Sequence, residues 1–246
     1  MQFASPLISS RRILIGASML AWFTGALPGR TAEAATAKKA TKAGAPKAET
    51  KDDAEPAALA PSQPPSGTSP MADLKKSNAA LKKLFQKSPP TWSPEHEAKR
   101  SEMSKIVSGF LDFEELAHRA LARHWDGLVP KQRSEFVGVL RDLIERNYIK
   151  QVHGQPNYEL RFTKEAIKDG EATVDATLDA SHDGKKVTVE MEYKLLYKSG
   201  RWLVYDVITD EQSMLENYRA EFNKIITKES FDALLKRMKK RLEKAE

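Results

Sequence analysis

The stretch that decides the fold, residues 172–207, reads ATVDATLDASHDGKKVTVEMEYKLLYKSGRWLVYDV. Apolar and polar side chains alternate along it in three segments, and a period of two residues is typical of strands that bury one face. Asp183-Gly184 and Ser199-Gly200 separate the segments, and such pairs form tight hairpin turns. The sequence therefore predicts an antiparallel meander with one apolar and one solvated face.

Helical patterns flank the meander on both sides. Apolar residues recur ahead of it at three- and four-residue steps, with Pro or Asp at the helix starts. The predicted elements there are helices over about residues 71–85, 93–107, 112–125 and 130–148, and a short strand over 158–162. Two helices follow the meander, the first containing Tyr218 and Phe222 and the second beginning at Ser230.

This order of elements indicates the fold class. Helices first, a curved antiparallel sheet second and helices last are typical of an α+β fold, with helices packed on one face of the sheet. Such a sheet and its helices can close a cone-shaped cavity between them. Small residues that face inward at Val174, Ala176, Val189 and Val204 favour an open apolar cavity over a core filled by side chains.

The N-terminal segment has the composition of an export signal. Arg11 and Arg12 precede an apolar stretch from Ile13 to Leu27, and a small-x-small cleavage pattern follows. Residues 1–34 are therefore predicted to be a signal peptide of the general secretory or the twin-arginine type, with an uncleaved membrane anchor as a third alternative. Export and cleavage would place the remaining chain in the periplasm.

A linker is predicted between the signal and the folded domain. Residues 35–70 are rich in Ala, Lys and Pro and contain no aromatic residue. Such a segment cannot bury enough apolar surface to offset its chain entropy, so it is expected to be disordered. The folded domain is then predicted to comprise residues 71–246.

Composition excludes several classes of protein. The chain has no cysteine, which excludes disulfides and thiolate metal sites. Its net charge is +6, but basic residues alternate with acidic ones on the predicted helices and no stacking aromatic residues lie between them, which argues against nucleic acid as a partner. None of the five histidines has metal-ligand spacing, and no nucleophile elbow or phosphate-binding Gly-rich loop occurs. We therefore expect no enzyme, no metal and no cofactor.

Single residues in the predicted core allow two interpretations. Asp206, beside Tyr205 in the last strand, either acts as an acid or base or satisfies nearby donors, and the structural role is the commoner one. Trp125, Tyr193 and Trp202 either line a ligand cavity or fill a core. Because they lie on facing elements, they favour a cavity as a set.

Four motifs carry a family resemblance. They are FEELAHRALARHW at 113–125, PKQRxxF at 130–136, GRWxVYDV at 200–207 and NYRxxF at 217–222, together with Tyr148 and Ser213. In order and spacing they resemble the MlaC, or toluene-tolerance, family of periplasmic phospholipid carriers over about residues 71–240. The chain departs from the family pattern at Ala122, where Gly is usual. It also has DEQS at 210–213 where the family has EGVS, which adds acidic charge near the expected cavity mouth.

The resemblance implies a cone-shaped fold like that of nuclear transport factor, which holds lipid tails inside and leaves the headgroup at the mouth. It implies a bound phospholipid as the ligand and no catalysed reaction. It further implies shuttling of lipid between an outer-membrane lipoprotein complex and an inner-membrane ABC transporter with an MCE-domain subunit. Such a system maintains the lipid asymmetry of the outer membrane, and the carrier itself touches membranes only transiently.

We expect the lipid tails to contact inward-facing apolar side chains on the helices and strands. The candidates are Leu116, Leu121, Trp125, Phe136, Leu140, Ile144, Val174, Val189, Met191, Tyr193, Val204, Tyr218 and Phe222. An exposed methylene costs about 0.8 kcal/mol in water, so a carrier must bury the tails and needs only a few polar groups for the headgroup.

Five polar residues are candidates for the headgroup and the cavity mouth. Arg133, near a helix N-terminus, and Lys185, in a hairpin, are phosphate partners or ordinary surface charges. Tyr148 can present its hydroxyl at the mouth while its ring lies inside. Gln212 lies in the changed motif, and Ser213 either bonds a phosphate or caps the following helix.

Two further hypotheses come from other classes of protein. The first is a periplasmic interaction domain of the same cone-shaped fold, with a filled core and a protein partner. The second is a small-molecule enzyme on that fold, which a buried Asp–His pair would favour. Asp206 is the only half of such a pair that the sequence shows.

Overall fold

The computed structural model describes residues 63–86, 94–153, 158–182 and 185–244, so the predicted signal peptide and most of the predicted linker lie outside the described residues. The helices are α1 (Pro70–Gln86), α2 (Pro94–Phe110), α3 (Phe113–Leu121), α4 (Pro130–His153), α5 (Met214–Lys228) and α6 (Phe231–Lys244). The strands are β1 (Tyr158–Lys168), β2 (Glu171–His182), β3 (Lys185–Lys198), β4 (Arg201–Thr209) and β5 (Gln212–Ser213). No helix within the described ranges is both long and apolar enough to span a bilayer.

The strands form one antiparallel sheet in the order β1–β2–β3–β4–β5. This arrangement confirms the predicted α+β fold built on a meander. Asp169-Gly170 and Ser199-Gly200 connect two of the strand pairs, and all four residues have positive φ, between 52° and 80°. Two such residues in succession give a turn whose twist matches that of the flanking strands, and Gly adopts this backbone without steric cost.

Strand β1 is longer than its sequence pattern indicates. The alternation predicts a strand that ends at Phe162, whereas β1 continues to Lys168. Every residue from 163 to 168 is exposed, and the pairing with β2 shifts by one residue between Phe162 and Lys164. Because this part of the edge strand is held by backbone hydrogen bonds and buries no face, it leaves no hydrophobic period in the sequence.

Two apolar clusters hold the domain together. The sheet cluster joins Leu74 of α1 to one face of β2, β3 and β4, including Val174, Tyr193, Leu195 and Val204. The helical cluster joins α3, α4, α5 and α6 to residues of α1, α2, β3 and β4. It includes Leu81, Leu116, Leu121, Phe136, Leu140, Ile144, Met214, Phe222, Leu234 and Met238.

Helices cover both faces of strand β4. Val204 belongs to the sheet cluster, while its neighbour Tyr205 points to the other face and belongs to the helical cluster. The guanidinium of Arg119 on α3 lies 4.1 Å from the centre of the Tyr205 ring. Burial is therefore continuous from residue 202 to 207, where a half-solvated strand would alternate.

Asp206 has the structural role that is the commoner one for a buried strand carboxylate. It is 2% exposed and accepts hydrogen bonds from the Ser213 hydroxyl at 2.6 Å and the Leu215 backbone N–H at 2.9 Å. Ser213 in turn accepts from the Glu216 N–H at 3.0 Å as the N-cap of α5. Asp206 thus fixes the start of α5 against β4.

The two departures from the family pattern coincide with strained backbone. Ala122 ends α3 at Leu121, short of the predicted end near Trp125, with φ 47° and ψ −122°. Glu211, which replaces the usual Gly of the second motif, has φ 64°. Glycine adopts positive φ freely, whereas a side chain there costs of order 1–3 kcal/mol.

Replacement of Ala122 by Gly is expected to stabilise the protein. Relief of the strain exceeds the added entropy of the unfolded chain, so Ala122→Gly should raise the free energy of unfolding by about 1 kcal/mol. Urea denaturation measures this change. Ala220→Gly, at an exposed position inside α5, is the matched control and should lower stability by about 0.5–1 kcal/mol. Destabilisation by both substitutions would show that Ala122 is not strained.

Candidate functional site

A groove lies between α1 and the sheet, where the sheet cluster and the helical cluster meet. Its volume of about 640 Å³ is counted out to its open side and includes the solvent there. No charged side chain is among the residues that line it. They are Leu74, Ser77, Asn78, Leu81, Phe110, Leu111, Ile144, Leu160, Phe162, Met191, Tyr193, Val207 and Met214.

Helix α1 forms one wall of the groove. Leu74 and Leu81 are buried at a spacing of two helical turns, and Ser77 and Asn78 lie between them on the same face. An apolar stripe is thus interrupted by two polar side chains at mid-helix. The face that α1 turns to the sheet is therefore apolar at both ends and polar in the middle.

Hydrogen bonds from strand β1 fix the N-terminus of α1. The Glu165 carboxylate accepts from the Ser69 hydroxyl at 2.8 Å and from the Met71 backbone N–H at 2.9 Å. Ser69 also accepts from the Ala72 N–H at 3.1 Å, as a helix cap does. A carboxylate at a helix N-terminus additionally complements the helix dipole. We call these contacts the Glu165 clip.

Further contacts hold α1 along its length. The Tyr158 hydroxyl of β1 donates to the side-chain oxygen of Asn78 at 3.2 Å. The Lys82 ammonium lies 5.5 Å from the centre of the Tyr158 ring, within reach of a cation–π interaction. Burial raises the pKa of the Tyr158 hydroxyl, so the group stays neutral and able to donate at neutral pH.

The sheet forms the opposite wall. Phe162 of β1 and Tyr193 of β3 lie in adjacent rows across β2, with ring centres 6.1 Å apart. The Tyr193 hydroxyl lies 3.8 Å from the Met191 sulfur. Desolvation raises the pKa of Tyr193, with a smaller contribution from Tyr158. Both phenols are therefore neutral hydrogen-bond donors at physiological pH.

The helices close the remaining side of the groove. Phe110, at the end of α2, and Ile144 of α4 line it. Beside Ile144, the buried Glu145 carboxylate accepts hydrogen bonds from the hydroxyls of Ser104 and Ser108 on α2. These bonds join α2 to α4 behind the groove and satisfy a charge that would otherwise be costly to bury.

The predicted tail contacts fall into three sets. Ile144, Met191 and Tyr193 line the groove. Others lie among packed side chains of the helical cluster, either buried in it or packed against it: Leu116, Leu121, Trp125, Phe136, Leu140, Tyr218 and Phe222. Val174 and Val204 lie in the sheet cluster, and Val189 is buried on β3, two residues from Met191.

The structure shows the surroundings of three of the predicted headgroup residues. The Arg133 guanidinium donates to the Trp125 carbonyl at 3.3 Å and lies 5.2 Å from the centre of the Trp125 ring. Ser213 caps α5. Gln212 is exposed and pairs with Thr209, whose other partner across the sheet is the groove residue Met191.

The two other headgroup predictions cannot be placed at the level of side chains. Tyr148 lies in the last part of α4 and Lys185 at the start of β3, and their side chains lie outside the described part of the structure. The backbone register pairs Lys185 with His182 at the β2–β3 hairpin.

Sequence reasoning missed the polar residues of the groove and much of its β1 wall. Ser77 and Asn78 interrupt the stripe of α1, and that interruption is visible in the sequence, because residues between Leu74 and Leu81 on this face should be apolar in a filled core. Leu160 and Phe162 gave no comparable signal, since a half-exposed strand residue has the same pattern whether it borders solvent or a ligand.

The composition of the groove suits the binding of a largely apolar ligand. Tyr193 is the only titratable side chain among the groove-lining residues named above. Within the described ranges, no three His, Asp or Glu side chains come together as ligands for a metal ion. A concave apolar surface with a few fixed polar groups is the usual form of a site for a largely apolar ligand.

The fold and the groove define a binding protein of the α+β class. A family model described as MlaC protein matches residues 75–240, about two thirds of the chain. The chain belongs to the MlaC family, as the four motifs indicate.

Two relatives are similar to the chain. It is 21% identical over 131 residues to the intermembrane phospholipid transport system binding protein MlaC of Haemophilus influenzae, covering 52% of this chain and 61% of the relative's length. In a search of solved structures it matches a phospholipid-binding protein of Ralstonia solanacearum, solved in complex with a phospholipid, with a TM-score of 0.61. That match has 18% identity and covers 72% of this chain and 99% of the other.

Removal of the Glu165 clip is expected to loosen the start of α1. Glu165→Ala leaves the Met71 N–H and the Ser69 hydroxyl without their acceptor. Loss of about 1 kcal/mol, the contribution of one hydrogen bond, raises the population of the open state about fivefold. Hydrogen–deuterium exchange of a peptide over residues 70–74 measures the change. Glu159→Ala, an exposed glutamate on the same strand, is the matched control. Equal exchange in both variants would contradict a role of the clip.

Proposed function

We propose that this protein is a phospholipid carrier, the soluble binding component of a lipid transport system that moves phospholipid between the inner and outer membranes. The observation that carries the proposal is the groove, which combines apolar walls, three polar side chains and no charged residue between a helix and a sheet. Family membership and the phospholipid bound by the structurally similar Ralstonia protein support the same ligand class.

The physical demand on such a carrier is burial of the acyl tails. Each methylene left in water costs about 0.8 kcal/mol, so a free phospholipid crosses an aqueous space very slowly without a protein. The groove offers the side chains of Leu74, Leu81, Leu160, Phe162 and Met191 as apolar contacts. The phosphate of the headgroup must stay hydrated or meet a cation outside the groove, because burial of an unpaired charge is prohibitive.

Charged and polar residues beside the groove are suited to the headgroup. Lys82 lies over the Tyr158 ring at one side of α1. Asp210, Glu211 and Gln212 follow β4, next to Met191 in the sheet register, and all three are exposed. The acidic pair gives this chain a different charge at this position from the usual EGVS motif. A headgroup that carries an ammonium would be favoured there.

We extend the proposal to location and partners. The predicted signal peptide supports a periplasmic location, and the predicted linker would separate the domain from the export signal. As partners we propose an outer-membrane lipoprotein complex and an inner-membrane ABC transporter with an MCE-domain subunit, with only transient contact to either membrane. Maintenance of outer-membrane lipid asymmetry would then be the role of the system.

Native mass spectrometry with lipid extraction tests the carrier function. Protein purified from a bacterial periplasm is expected to carry about one phospholipid per chain, because the proposal places one ligand in this groove. A folded protein that is empty, and stays empty after incubation with phospholipid vesicles, would contradict the proposal. That result would favour an interaction domain with a filled core.

Blocking the groove is expected to abolish loading. Met191 is partly buried on the groove wall, so Met191→Trp places an indole in the ligand space while the strand remains paired. Lipid content measured by native mass spectrometry should fall to a small fraction of the wild-type value, with unchanged circular dichroism. Glu190→Trp, exposed on the other face of the same strand, is the matched control and should load normally. Normal loading of folded Met191→Trp would exclude this groove as the tail site.

A further inference from the structure

The Tyr193 hydroxyl has an unusually weak hydrogen-bond partner for a buried polar group. The side chain is 9% exposed and lines the groove. Among the residues that the structure describes, its hydroxyl meets only the Met191 thioether, at 3.8 Å. Sulfur is a weak acceptor, and a buried tyrosine hydroxyl normally has a stronger one. The groove therefore contains a donor whose bonding capacity the protein leaves largely unused.

The neighbouring tyrosine shows the contrast. Tyr158 also faces α1, but its hydroxyl donates to the oxygen of Asn78 at 3.2 Å, which is a strong amide acceptor. Phe162 across the sheet and Val207 on the next strand are neighbours of Tyr193, and the side chain of neither can accept a hydrogen bond. A buried hydroxyl that has only a weak acceptor gains free energy when a ligand or water offers it a stronger one.

The surroundings define the acceptor that would fit. No cation lines the groove, so a phosphate oxygen would have to be buried there without a counter-charge, which is costly. A neutral carbonyl flanked by long apolar chains has no such cost. In a phospholipid, the acyl-ester carbonyls have this character, and they lie between the tails and the headgroup. Burial keeps Tyr193 protonated and so preserves its donor.

We infer that the Tyr193 hydroxyl donates a hydrogen bond to an acyl-ester carbonyl of the bound phospholipid. The groove then selects ester-linked over ether-linked lipids, and the bond fixes how deep the tails lie. This inference rests on the proposed carrier function and adds to it a chemical feature of the cargo. The acyl tails then contribute buried apolar area, and the Tyr193 hydroxyl sets their position in the groove.

A competition between two lipids tests the inference. Vesicles contain equal amounts of dipalmitoyl phosphatidylglycerol and its dihexadecyl diether analogue, which lacks both carbonyls. The purified protein is incubated with them, and native mass spectrometry gives the ratio of the two bound lipids. One hydrogen bond corresponds to a preference of about fivefold for the ester lipid in the wild-type protein. This measurement needs no variant, so it stands even where a substitution disturbs folding.

Two tyrosine variants locate the effect. Tyr193→Phe retains the ring and removes the hydroxyl, so the ester preference should fall to about one while both lipids still load. Tyr197→Phe makes the same change on the same face of β3, where the ring packs against Trp202 at 5.3 Å and not along the groove. It should keep the wild-type ratio.

The outcomes separate the inference from the carrier function. Equal loading of both lipids by the wild-type protein, or an ester preference that persists in Tyr193→Phe, overturns the inference and leaves the carrier intact. A water molecule as the partner of Tyr193 predicts the first of these results. Failure of the wild-type protein to load either lipid overturns the carrier function, and the inference with it.

Discussion

Burial of the apolar face of the β1–β4 meander is the constraint on which the rest of this structure depends. A four-stranded sheet with an apolar face is stable only when other elements cover that face. In this protein, the helices cover the apolar face of the sheet incompletely. Helix α1 contributes Leu74 and Leu81 but places Ser77 and Asn78 between them, so the contact between helix and sheet is apolar at its ends and open at its centre.

The attachment of α1 follows from this gap. Because its middle does not pack tightly on the sheet, polar contacts add to the few apolar ones. They are the Glu165 clip at its N-terminus, the Asn78–Tyr158 bond at mid-helix, and a longer contact of 3.4 Å from the Trp202 backbone N–H to the Asp73 carboxylate. Each such bond contributes only about 1 kcal/mol net. Elements held mainly by exposed hydrogen bonds open at lower free energy than the core does. In the helical cluster, by contrast, the large side chains of Phe136, Phe222 and Leu234 are fully buried.

The sequence predicted the meander, the order of helices and the family, because each leaves a periodic or motif-level trace. It did not locate the groove. The Phe136 and Phe222 rings pack edge to face in the helical cluster, with centres 5.4 Å apart, whereas Met191 borders the open space. All three residues nevertheless follow the same apolar pattern. Periodicity reports which side of an element is buried and not what buries it. The end of β1 and the positive φ of Ala122 and Glu211 were missed for a related reason: both are backbone properties to which side-chain patterns are blind.

The difference between a carrier and a filled-core domain of the same fold becomes visible in the burial along a single strand face. On β3, Val189, Met191, Tyr193 and Leu195 point the same way, and in a filled core all four would be equally buried. Val189, Tyr193 and Leu195 are at most 9% exposed, whereas Met191 between them is only partly buried and lines the groove. A loss of packing limited to the centre of an otherwise close-packed face forfeits dispersion energy, and evolution tolerates such a cost where a ligand restores the contacts. The weakly bonded Tyr193 hydroxyl lies beside the same gap, so the missing apolar contacts and the missing hydrogen-bond acceptor have one explanation in a ligand that supplies both.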